Sequence, residues 1–127
     1  MKKILIIDDE EKICDVVKKG LEKMGDFEVS IVNNGKDGIK TAKHLKPDLI
    51  LLDIRMPKLD GIEVLKILKK DEDTISIPVV MLTGVLDSSA KEKCNSEYDD
   101  LYIEKPVDLV FLKEKIEEVF KVRRGGM

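Results

Sequence analysis

The sequence predicts one α/β domain built on a parallel, five-stranded sheet. Two observations carry the prediction. Five short apolar runs, Ile4–Ile7, Phe27–Val32, Leu49–Leu52, Val79–Leu82 and Leu101–Ile103, alternate with five longer amphipathic or polar segments. Each run is β-branched or leucine-rich and too short for a helix, as expected of strands buried on both faces of a parallel sheet. Strict alternation of this kind calls for right-handed βα crossovers. A length of 127 residues suits a single core, and 43% hydrophobic with 39% charged residues supplies both that core and a solvated surface.

The segments between the runs carry helical periodicity. Ile13, Val17, Leu21 and Met24 share one face after the first run, and Gly25 closes that helix. Asn33-Asn34-Gly35 is expected to form a turn, and Pro47-Asp48 opens the third strand. After the start at Gly61 come Ile62, Leu65 and Leu68–Lys69, with Val64 and Leu68 at i, i+4. Leu109, Leu112, Ile116 and Val119 recur at helical spacing in the last segment. The fourth segment, Asp87 to Cys94, has almost no apolar stripe, which predicts a short or mobile helix. One folded unit is expected over residues 1–121, with a short flexible tail over 122–127.

Composition narrows the function. A net charge of −3 argues against a general nucleic-acid binder, which needs a basic field over the phosphates. No apolar run approaches the roughly 20 residues that span a bilayer. Met1-Lys2-Lys3 with Ile4–Ile7 is too short for a signal peptide, so a cytoplasmic protein without direct nucleic-acid or membrane binding is expected. Cys14 and Cys94 are isolated, with no neighbouring histidine, and are expected to be reduced thiols rather than metal ligands. His44 lies in a polar helical segment without an acidic or hydroxyl partner and is expected to be exposed and inert.

In open parallel sheets, ligands bind beyond the carboxyl ends of the strands. There the sequence places Asp8, Asp9, Glu10 and Glu11 after the first run and Asp53 after the third. Thr83 follows the fourth, and Lys105-Pro106 the fifth. Each has a plainer role if taken alone. Asp8 with Glu11 makes a capping-box-like helix start, Asp53 a strand-end turn residue, Thr83 a cap and Lys105 a surface charge. Their joint placement on one rim favours chemistry. Two carboxylates about 4 Å apart repel by roughly 4 kcal/mol at an effective dielectric near 20. A divalent cation relieves this, and an all-oxygen set that leaves room for waters and a phosphate suits Mg²⁺. Phosphoryl transfer needs mainly positioning and charge stabilisation. Asp53 is then the natural nucleophile, with Lys105 neutralising phosphate oxygens and Thr83 donating to one of them.

At these residues the sequence closely resembles the response-regulator receiver domain of two-component signalling systems, over essentially the whole chain. The matching stretches are Lys3 to Glu10, Pro47 to Asp53, Met56-Pro57 with Asp60-Gly61, Pro78 to Gly84, and Tyr102 to Pro106. The resemblance implies a doubly wound (βα)₅, flavodoxin-like fold with strand order 2-1-3-4-5. It implies Asp53 as phosphoacceptor, Asp8 and Asp9 as the acidic pair holding Mg²⁺, and the backbone carbonyl of Arg55 as a further ligand. It also implies Thr83 as the switch hydroxyl, Tyr102 as the switch aromatic, and a cis bond between Lys105 and Pro106. The implied partners are a sensor histidine kinase or phosphotransfer protein and a downstream effector, with the chain monomeric or dimerising on phosphorylation. The chain would be no enzyme beyond catalysing its own phosphorylation and dephosphorylation.

Tyr98 stands where the family often has glycine before the switch aromatic, so the surface near the fourth helix is expected to be unusual. Three alternatives follow from other classes. A flavodoxin-like electron carrier would need a hydroxyl- and glycine-rich loop where this chain has four acids. A haloacid-dehalogenase-type phosphatase would need a second aspartate where Arg55 stands. A non-phosphorylated pseudo-receiver would not need the set Asp8, Asp9, Asp53, Thr83 and Lys105.

Overall fold

A computed structural model describes residues 1–83, 101–105 and 108–125, without the side chains of 101, 102 and 123–125. The strands are β1 (Lys2–Ile7), β2 (Phe27–Val32), β3 (Leu49–Asp53), β4 (Val79–Thr83) and β5 (Leu101–Glu104). The helices are α1 (Glu11–Met24), α2 (Gly35–Leu45), α3 (Gly61–Leu68) and, last in the chain, α4 (Leu109–Gly125). The sheet is parallel throughout in the order β2-β1-β3-β4-β5, as expected. The expected helical segment from Asp87 to Cys94, with Tyr98, lies outside the described residues. Helical backbone continues past residue 121 to Gly125, into the stretch read as a tail.

Alternation along the central strands explains the layering. Ile4, Ile6, Leu49, Leu51, Val80, Leu82 and Ile103 face one core, packed with Cys14, Val17 and Leu21 of α1 and Leu112 and Ile116 of α4. Leu5, Ile7, Ile50, Leu52, Val79 and Met81 face the other, packed with Ala42 of α2 and Val64, Leu65 and Leu68 of α3. Successive side chains of a strand point to opposite faces, so continuous apolar runs require helices on both sides. Each such side chain contributes about 1.5–3 kcal/mol on burial. The three inner strands, β1, β3 and β4, are therefore firmly held, and their last residues are fixed in space.

Local signals set the helix ends. Gly25 terminates α1, its N–H donating to the Leu21 carbonyl. Asn33-Asn34, expected as a turn with Gly35, bends the chain between β2 and α2, and the Asn34 side chain caps α2 by accepting from the Asp37 N–H at 2.8 Å. Asp60 and Glu63 form a complete capping box at the start of α3. His44 is exposed in α2. No helix among the described residues is long and apolar enough to cross a membrane.

Candidate functional site

β1 and β3 are neighbours, and their registers bring Ile7 beside Leu52. The residues that follow, Asp8 and Asp53, therefore leave the sheet side by side. Both are buried, at 1% and 4% exposure. β4 extends the rim: Leu82 pairs with Asp53 and Thr83 with Glu104 of β5. Thr83 is buried at the end of its strand, and its carbonyl accepts from the Lys105 N–H. That bond carries the register one residue past β5 and sets where the lysine side chain begins.

Two further details hold the rim. The Asp8 carbonyl accepts from the Asn33 side chain at 2.8 Å, and the Cys14 thiol donates to it at 3.4 Å. On the β3 side, Gly61 N–H donates to the Ile54 carbonyl at 2.7 Å. A methyl group on Gly61 would collide with the Asp53 carbonyl and the Ile54 backbone. Gly61 is thus required by a close approach, which brings the start of α3 against the acceptor strand.

The Lys105 ammonium lies 3.1 Å from each of three carboxylate oxygens, Asp8 Oδ2, Glu10 Oε1 and Asp53 Oδ1. One oxygen from each of these acids lies within 4.8 Å of the other two. The structure brings Asp8, Asp53 and Lys105 together, as their strand-end positions predict. The reach of Glu10 to Lys105 has no signal in the sequence. Asp9, expected beside Asp8 in the metal set, is exposed and outside this group of three, although its charge still acts on Asp53. Arg55 is exposed two residues past the acceptor. The Tyr102 side chain and Pro106 lie outside the described residues, so the expected aromatic switch and cis bond do too.

Electrostatics at the site follow from crowding. Burial, then the neighbouring charge of Asp8, pushes the Asp53 carboxyl up to about 7, against the opposing pull of Lys105. Burial alone would lower the Lys105 ammonium, but the charges of Asp53 and Asp8 and its hydrogen bonds to them more than reverse this, so it stays protonated. Burial, reinforced by Asp8, raises the Cys14 thiol to about 12, so it is no nucleophile at neutral pH. Three acids thus share one ammonium. Its position, equidistant from three hard oxygen donors, is one that a divalent cation also suits, and the donor set fits Mg²⁺.

A doubly wound sheet with buried aspartates and a lysine on its carboxyl rim defines a class: an α/β module with an acidic site at the ends of its strands. Comparison with known proteins is consistent with that class. The profile of the response regulator receiver domain matches residues 4–117. Protein PilH of Pseudomonas aeruginosa is 36% identical over 94% of this chain and 98% of its own length. The polar-differentiation response regulator DivK of Brucella anthropi is 32% identical over 85% and 87%. The transcriptional regulator RpaA of Synechocystis is 41% identical over 86% of this chain and 45% of its own. Against RpaA, and against PhoP of Bacillus subtilis at 33%, the chain spans less than half of the relative's length. A receiver-domain crystal structure from Clostridium thermocellum superposes with a TM-score of 0.90 at 30% identity, covering 100% of both chains. A CheY-like receiver domain from Methanospirillum hungatei gives 0.88 at 31%, covering 98% of each.

The chain belongs to the response-regulator receiver family. It is a receiver domain of the two-component kind, a signalling module rather than a conventional enzyme.

Proposed function

We propose that this receiver accepts a phosphoryl group on Asp53 from a phosphohistidine of a sensor kinase or phosphotransfer protein, with Mg²⁺ bound at the rim. One observation carries the reading: Asp53 is buried beside Asp8 at a strand end, and a single ammonium bridges them. Asp8, Asp9 and Asp53, with the Arg55 backbone carbonyl, would hold the ion. Mg²⁺ supplies charge neutralisation for phosphoryl oxygens in such a site.

The chain's own residues do the rest. The Asp53 carboxylate attacks phosphorus as the phosphorus–nitrogen bond of the donor breaks, and the imidazole leaves. Lys105 turns from carboxylate to phosphoryl oxygen, and Thr83 donates its hydroxyl to another. The shift of Thr83 and of Tyr102 then biases a surface toward an effector. The receiver unit is taken as residues 1–121, acting in the cytoplasm.

Intact-mass measurement after incubation with acetyl phosphate and Mg²⁺ tests the proposal. One phosphoryl adduct is expected on the wild type, and none on Asp53→Asn or with excess EDTA. A wild type that stays unmodified favours the pseudo-receiver instead.

A further inference from the structure

Glu10 has no part in the phosphoacceptor reading, yet it holds one third of the Lys105 coordination. An ammonium has three N–H donors. Here all three face carboxylate oxygens at 3.1 Å, from Asp8, Asp53 and Glu10. The three partners are unequal. Asp8 and Asp53 side chains are 1% and 6% exposed, whereas Glu10 is 54% exposed. The Glu10 backbone is pinned at the start of α1 by its N–H donating to Asp8 Oδ1 at 3.0 Å. Its side chain is thereby directed back across the rim toward β5.

We infer that Glu10 is a positioning residue that restrains Lys105, holding a donor that an incoming phosphoryl group needs. The inference rests on the phosphoacceptor reading of Asp53. A phosphoryl group brings about two negative charges and three acceptor oxygens, so Lys105 must give up a carboxylate to meet it. Losing the lysine is costly for buried Asp8, which water reaches poorly. Glu10 is half in solvent and rehydrates readily, so it is the partner released. Until then it competes for the ammonium and adds negative charge where the dianion must sit. The same charge attracts a divalent cation. Removing it should therefore move the two affinities in opposite directions, a signature that a purely structural role for Glu10 would not produce.

Calorimetric titration tests this on the full chain, with wild type, Glu10→Gln and Glu10→Ala. The probes are Mg²⁺ alone and beryllofluoride, a phosphoryl mimic, at saturating Mg²⁺. Both variants should bind beryllofluoride about three- to tenfold more tightly than wild type and Mg²⁺ about twofold more weakly, the scale of one partly exposed charged contact. Beryllofluoride affinity that is unchanged or weaker in both variants overturns the inference and leaves the phosphoacceptor reading intact. A wild type that binds no beryllofluoride overturns both readings.

Discussion

Two lysines sit in shielded positions at opposite ends of the same sheet, and the acceptors that hold them differ in kind. Lys69, 8% exposed just after α3, donates to the backbone carbonyls of Ile75 and Ile77 at 3.1 and 2.8 Å, near the entry to β4. Buried Thr74 donates its hydroxyl to the Leu68 carbonyl in the same loop. Those acceptors are neutral dipoles within eight residues of the lysine, so the arrangement ties down a connection. Lys105 instead faces three carboxylates, two of which come from residues 97 and 95 positions away. At the amino end, Lys69 meets the Ile75 and Ile77 carbonyls within its own stretch of chain. Among the described residues, the carboxyl rim gathers three carboxylates around the Lys105 ammonium, an imbalance of charge. A fold tolerates such an imbalance where another cation or a transferred group is expected.

Breaking each lysine should separate the two ends. Lys69→Ala removes the donor from buried carbonyls and leaves a void, and should cost about 3 kcal/mol. Thermal melts should show the loss unchanged by 10 mM MgCl₂. Lys105→Met removes the ammonium that three carboxylates share, and should cost about 2 kcal/mol in EDTA. Added Mg²⁺ should recover most of that loss. Equal recovery in both variants would contradict the contrast.

A smaller effect sharpens it. The Asp53 carboxyl titrates near 7 in the folded chain, well above the 3.8 of an unperturbed aspartate. The folded state therefore holds the proton more tightly, and stability falls as pH rises from about 4 to about 7, then levels off. Asp53→Asn carries no charge and escapes this loss. Without divalent ions it should melt like wild type near pH 4 and be more stable by about 1–2 kcal/mol at pH 8, roughly 3–8 °C. A variant less stable than wild type at pH 8 would mean that the Lys105 pair outweighs the burial of Asp53.

Sequence alone revealed what depends on local pattern. Leu49–Leu52 is legible because an apolar run between Pro47-Asp48 and Asp53 can only be a buried strand, and strand ends in such a sheet converge. Asp8, Asp53, Thr83 and Lys105 were found that way. β1 begins at Lys2 rather than Ile4, because the exposed Lys2 and Lys3 pair through their backbone with Phe27 and Glu28, which an apolar run does not show. Asn34 followed three residues later by Asp37 is a cap signal that a turn reading passes over. The reach of Glu10 to Lys105, the support of Asp8 by Asn33 and the seat of Lys69 depend on partners brought near only by folding. No spacing in the chain announces them.

On the proposed function, the crowded rim prepares one carboxylate, Asp53, to carry a phosphoryl group. Borohydride reduction of the chain after treatment with acetyl phosphate and Mg²⁺, followed by peptide mass mapping, tests it most directly, because an aspartyl phosphate is reduced to homoserine. Homoserine at position 53 alone is the predicted result. Homoserine at Asp8 or Asp9 with position 53 untouched, or a stable phosphoryl group on His44, would rule out Asp53 as the acceptor.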